Sequence, residues 1–184
     1  MKTSRMFVAI ALPAPVGASL DALVAPLDGV TWASRAQRHL TLRFLGDVSD
    51  EKVESITAHL AAVRVEPFVL PIEDVGAFPP KAPPRVLWIG VGRGHPRLHQ
   101  LRQRVDDALL APGLLDLDVR AFHPHVTLAR CGTAAGAKPV AKWLLAHEGF
   151  AAPPFRVDAF GLYASQLEPD GARHTLVRQF ALAK

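Results

Sequence analysis

Phe122–Arg130 reads FHPHVTLAR, and His39–Gly46, HLTLRFLG, shares with it one four-residue phrase. The phrase is histidine, any residue, threonine, leucine: His39-Leu40-Thr41-Leu42 and His125-Val126-Thr127-Leu128, 86 positions apart. Its alternation of polar and apolar residues is the mark of a half-buried strand. In a strand, side chains two apart share a face. His39 and Thr41 would therefore point one way with Leu40 and Leu42 packed behind them, and His125 and Thr127 would do the same. Each strand would offer an imidazole and a hydroxyl about 6.5 to 7 Å apart along one surface. Two such strands side by side make a four-pronged polar site. With 8 His and 7 Thr in 184 residues, 49% of them apolar, chance supplies only about 0.15 such phrases.

The chain is long enough for one domain or two small lobes on a shared core. The opening MKTSRMFVAIALPAPVG resembles a secretory signal, but its apolar run is short and ends at Pro13 and Pro15, so a buried first strand is the better reading. No segment reaches the length of a membrane span. One cysteine, Cys131, excludes an internal disulfide, fits a cytoplasmic protein and is expected to pack at a strand end. A net charge of +4 suits a phosphate-bearing partner.

Periodicity predicts strands at Met6–Leu12, Phe68–Ile72, Val86–Val91, Val119–Leu128, Phe155–Leu162 and Thr175–Leu182, and helices at Pro15–Leu27, Asp50–Ala62, Pro96–Leu110 and Lys138–Ala146. Ser49 is the expected cap of the second helix. The four prolines of GAFPPKAPPR predict a stiff loop from Val75 to Val86 carrying Lys81 and Arg85. Strands and helices alternate in two halves, each holding one His-x-Thr strand, which predicts an α+β protein of two similar lobes with the motif strands meeting in the groove.

Two histidines near neutral pH can act together as base and acid. In cleavage of a phosphodiester one imidazole takes a proton from water and the other gives one to the leaving oxygen. Thr41 and Thr127 would hold the non-bridging oxygens, with Arg130 as a nearby cation and Arg43 as a weaker candidate. The scheme needs no metal or other cofactor. His123-Pro124-His125 could form a metal pair, but no further cluster at ligand spacing completes a site. His59, His95, His99 and His147 read as solvent-facing helix residues, and His174 as a possible groove residue. No Gly-rich phosphate loop or nucleophile elbow is present.

With RMFVAIALP, HLTLRFLG, RVLWIGV, FHPHVTLAR and LYASQLEPDGARH spread over nearly its whole length, the chain resembles the two-histidine (2H) phosphoesterases. Within them it is most similar to the bacterial RNA 2',3'-cyclic phosphodiesterases, also called 2'-5' RNA ligases. The resemblance implies a single bilobal domain over residues 1–184: two pseudo-symmetric lobes of antiparallel sheet, outer helices and a central groove. It implies hydrolysis of a terminal RNA 2',3'-cyclic phosphate to a 2'-phosphomonoester by a cytoplasmic monomer, and joining of tRNA halves through a 2'-5' linkage. His39, Thr41, His125 and Thr127 inherit the catalytic places, with His125 as the expected base and His39 as the expected acid. Two positions depart from the pattern: His174 stands where an aromatic such as tyrosine is expected, and Arg38 where asparagine is common. A non-catalytic RNA-end-binding module and a phosphodiesterase for another small cyclic phosphate, such as ADP-ribose 1'',2''-cyclic phosphate, are the alternatives.

Overall fold

The computed structural model describes residues 3–80, 82–92, 95–114, 121–168 and 171–184. Lys81 and the start of the strand expected from Val119 lie outside them. In chain order the elements are β1 (Thr3–Ala11), α1 (Ala14–Ser19), β2 (Val30–Trp32), β3 (His39–Ser49), α2 (Asp50–Ala61), β4 (Phe68–Phe78), β5 (Val86–Gly90), α3 (Pro96–Leu110), β6 (Val126–Cys131), α4 (Ala137–Ala146), β7 (Ala151–Val157), β8 (Ala159–Glu168) and β9 (Gly171–Ala181).

The fold is α+β, with a curled antiparallel sheet in the order β7-β4-β5-β6-β3-β1-β8-β9 and β2 added alongside β6. One lobe is β3-β1-β8-β9 and the other β7-β4-β5-β6. The first draws its strands from both ends of the chain, so the lobes are not the successive halves that sequence alternation predicts. Met6, Val8, Ile10, Leu40, Leu42, Leu87, Ile89, Val126 and Leu128 pack on the helix side in one continuous core, joined by Leu98, Leu101, Val105 and Leu109 of α3. That quartet is the face its 3.6-residue spacing predicts. The MFVAI run is a central strand between β3 and β8.

Four local expectations change. The first helix is short: α1 tightens at Leu20–Leu23 into a 3-10 turn and Val24 is extended, one residue ahead of Ala25, which Pro26 biases away from the helical region. Ser49 holds the N-cap position of α2 without a side-chain cap bond, leaving Asp50 and Glu51 to complement the helix terminus. Gly76, Ala77 and Phe78 pair with Trp88, Leu87 and Val86, so the prolines interrupt pairing only from Pro79 onward. The stretch expected as one strand at Phe155–Leu162 divides at Asp158 into β7 and β8, which belong to different lobes.

Candidate active site

The motif strands meet at one residue pair, Leu40 opposite Val126, antiparallel. Both side chains are fully buried on the core side. About that point the strands run His39 toward Thr127 and Thr41 toward His125, an approximate two-fold arrangement of four half-buried polar side chains on the groove face. The structure thus brings together all four motif residues. It differs from expectation in the strand that carries the second motif: β6 begins at Val126, so residues 121–125 of the stretch expected as Val119–Leu128 are not strand and His125 sits just before it. Pro124, which has no N–H for a ladder, stands in that stretch.

The two imidazoles are held alike. His39 Nδ1 lies 2.8 Å from the Gln37 carbonyl and His125 Nδ1 lies 2.7 Å from the His123 carbonyl, two residues back in each case. A carbonyl only accepts, so Nδ1 carries the proton and donates it in both rings. Nε2 is left as a base when the ring is neutral and as an acid when it is protonated.

Each ring also rests on aromatic residues of nearby strands. Phe7 stacks on His39 at 4.6 Å and on Tyr163 at 5.4 Å, and His174 meets His39 edge-on at 4.9 Å. On the other side Phe78 meets His125 at 5.1 Å, and His123 packs edge-on against Phe78 and Trp88. Gly76 is required here, since a Cβ at that position would overlap the Trp88 ring. His123 belongs to this aromatic support. His174, left open by sequence, lines the site, whereas Phe7, Tyr163, Phe78 and Trp88 were not anticipated. The signal for Phe7 and Trp88 was available: in MFVAI and VLWIG they fall on the polar-face parity of strands that are otherwise apolar on both faces.

Burial disfavours charge on both site histidines. His39 is lowered from 6.5 to about 4 by desolvation and then by the neighbouring charges of His174 and His125, against the raising effect of the Gln37 carbonyl. His125 is lowered by desolvation first and by His123 as well, with its own carbonyl contact opposing. In the ligand-free protein both rings are therefore neutral at pH 7. Because a charge on His125 opposes one on His39, the pair favours at most one proton. An anion placed between the rings would supply the opposite charge that restores it.

Two bulges decide which arginine faces the groove. Pairing of β6 with β5 shifts between Leu87 and Trp88, and pairing of β3 with β1 shifts between Val8 and Ala9. Each shift admits one extra residue, Leu128 and Leu42, in the motif strand. Leu128 and Ala129 are consequently both buried, and Arg130 returns to the Thr127 face, exposed and opposite Val86. The matching bulge turns Arg43 inward, 3% exposed, where its Nε lies 3.6 Å from Asp106 Oδ1. Arg43 is thus a core ion-pair residue and not a phosphate contact. At the Thr41 side the corresponding exposed position is Phe44.

Arg38 is buried too. It donates to the Ala33 carbonyl at 3.0 Å and to Asp21 at 2.7 Å, fixing the entry to β3 from the core side. Cys131 ends β6 half-buried, its thiol pushed up by desolvation, as a packing residue should be. His59 and His147 bond the Ser55 and Trp143 carbonyls of their own helices, away from the groove.

A curled antiparallel sheet that joins two His-x-Thr strands is the architecture of a two-histidine phosphoesterase, and solved structures agree. The chain superposes on E. coli LigT in apo form with a TM-score of 0.81, 28% identity and full coverage of both chains, and on LigT complexed with 3'-AMP at 0.80 and 27%. The model of the 2'-5' RNA ligase superfamily matches residues 12–168, and the chain belongs to that family. Relatives named RNA 2',3'-cyclic phosphodiesterase, hydrolases of phosphodiester bonds, include one from Thermotoga maritima, 33% identical with 91% of this chain and 89% of that one covered. Another, from Escherichia coli, is 29% identical over 98% and 97%. One from Aeropyrum pernix is 44% identical, but its match spans about half of each chain, 50% and 52%.

Proposed function

We propose that the chain hydrolyses a terminal RNA 2',3'-cyclic phosphate by paired histidine acid-base catalysis. The observation that carries this reading is the identical tethering of His39 and His125 through Nδ1, on strands related about the Leu40–Val126 pair. Neutral His125 accepts a proton from water through Nε2 as the water oxygen bonds to phosphorus. The bond from phosphorus to the 3' oxygen breaks opposite it, and His39, charged by the phosphate, gives its Nε2 proton to that oxygen. The products are a 2'-phosphomonoester and a free 3'-hydroxyl. Thr41, Thr127 and Arg130 hold the non-bridging oxygens, and no metal or cofactor takes part. A 5'-hydroxyl in the place of water gives a 2'-5' linkage, so ligation follows from the same site. The substrate is an RNA end or a small nucleotide cyclic phosphate, taken up by a cytoplasmic monomer. The names of the full-length relatives and the neighbour bound to 3'-AMP support the choice of nucleotide.

The test is release of nucleoside 2'-phosphate from nucleoside 2',3'-cyclic phosphates in excess chelator. The wild type turns over, and His39→Ala and His125→Ala each lose about 10²- to 10⁴-fold in kcat. Full activity in either variant sinks the assignment, and tight binding without product marks a binding module instead.

A further inference from the structure

We propose that His174 is a positioning residue for the reaction, which holds the His39 ring edge-on and sets the strength of His39 as an acid. This rests on the phosphodiesterase reading above. The geometry begins with the β8–β9 hairpin, which folds over the turn preceding β3: Gln37 donates its side-chain amide to the Ala172 carbonyl at 3.1 Å while its own carbonyl receives His39 Nδ1. That docking brings His174 within 4.9 Å of His39 and 5.0 Å of Phe7, each near perpendicular. His39 is thereby enclosed by Phe7 on one side and His174 on another. The Nδ1 of His174 is buried and has no hydrogen-bond partner, so no carbonyl or carboxylate fixes its proton.

The surrounding charges leave the imidazoles to each other. His39 faces His174 from β9 and His125 across the groove, and the phenol of Tyr163 from β8 lies beyond Phe7. Around His174, Arg173 is engaged with Glu168 at 3.6 Å, and Arg5 of β1 is opposite Ser165, the strand partner of His174. No carboxylate pairs with either ring among the described residues. A proton on His174 opposes one on His39, and burial in turn disfavours charge on His174 itself. A weakly basic His39 releases its proton more readily to the leaving oxygen. A tyrosine at position 174 would be neutral and could not exert this effect.

The experiment follows the ring protons of His39 by NMR across pH in the ligand-free wild type, His174→Phe and His174→Ala, with kcat profiles beside it. In His174→Phe, which keeps a ring but not a charge, the His39 midpoint moves up and the alkaline limb of kcat moves with it. The same His39 midpoint in wild type and His174→Phe overturns the proposal. Loss of rate in His174→Ala that His174→Phe restores without any shift also overturns it, by showing packing alone. A shifted midpoint in a protein with no phosphodiesterase activity overturns the proposed function and with it the catalytic role of His174, leaving only the coupling of the two rings.

Discussion

At the scale of single residues, His39 is the most informative side chain in the molecule. Its lowered basicity has two separable consequences. For stability, a histidine whose folded pKa falls from 6.5 to about 4 resists the proton that the unfolded chain accepts. The penalty is absent above pH 6.5 and grows as pH falls through that window, reaching roughly 3 kcal/mol at most. His39→Phe should therefore lose less thermal stability between pH 7 and pH 4 than the wild type, as calorimetry at both values would read; an equal loss would falsify the depressed pKa. For catalysis, a bound phosphate raises what burial lowers. The alkaline limb of kcat, which reports the complex, should lie at higher pH than that of kcat/KM, which reports the free protein. Coincident limbs would mean that the phosphate does not recharge His39.

At the scale of elements, the paired bulges in β3 and β6 separate two arginines that look alike in sequence. Three residues after Thr127, Arg130 would point away from the groove in an unbroken strand, and the extra Leu128 brings it back. Two residues after Thr41, Arg43 would face the groove in an unbroken strand, and the extra Leu42 takes it away. Arg130→Ala should accordingly raise KM or lower kcat with an unchanged melting temperature. Arg43→Met should do the reverse, costing roughly 2 to 3 kcal/mol in denaturant unfolding, less than for a fully buried pair because Asp106 keeps some contact with water. Inhibition by inorganic phosphate that is weakened in Arg43→Met and intact in Arg130→Ala would reverse the assignment.

At the scale of the whole molecule, the lobes are interleaved. β8 and β9 complete the lobe begun by β1 and β3, α1 packs against β7 of the other lobe, and α3 against β3. Arg102 on α3 adds a tie: it donates to the Leu42 carbonyl of β3 and lies 5.2 Å from the ring centre of Phe122, just ahead of His125. With one continuous core beneath both motif strands, unfolding should be a single transition with equal calorimetric and van't Hoff enthalpies. Two resolved transitions would show that the lobes melt independently.

The sequence by itself determined the four groove residues, the helical core face of α3 and the family. Each is written in local periodicity or in a motif, and alternation assigns a face without reference to any partner. Only the tertiary structure decided the rest, for reasons of register and long-range pairing. Arg130 and Arg43 exchange faces because each bulge is defined by a mismatch with a neighbouring strand. Phe155–Leu162 reads as one strand because its apolar pattern does not show that the chain changes lobes at Asp158. His174 is 135 positions from His39, and only the docking of the last hairpin on Gln37 sets one imidazole against the other.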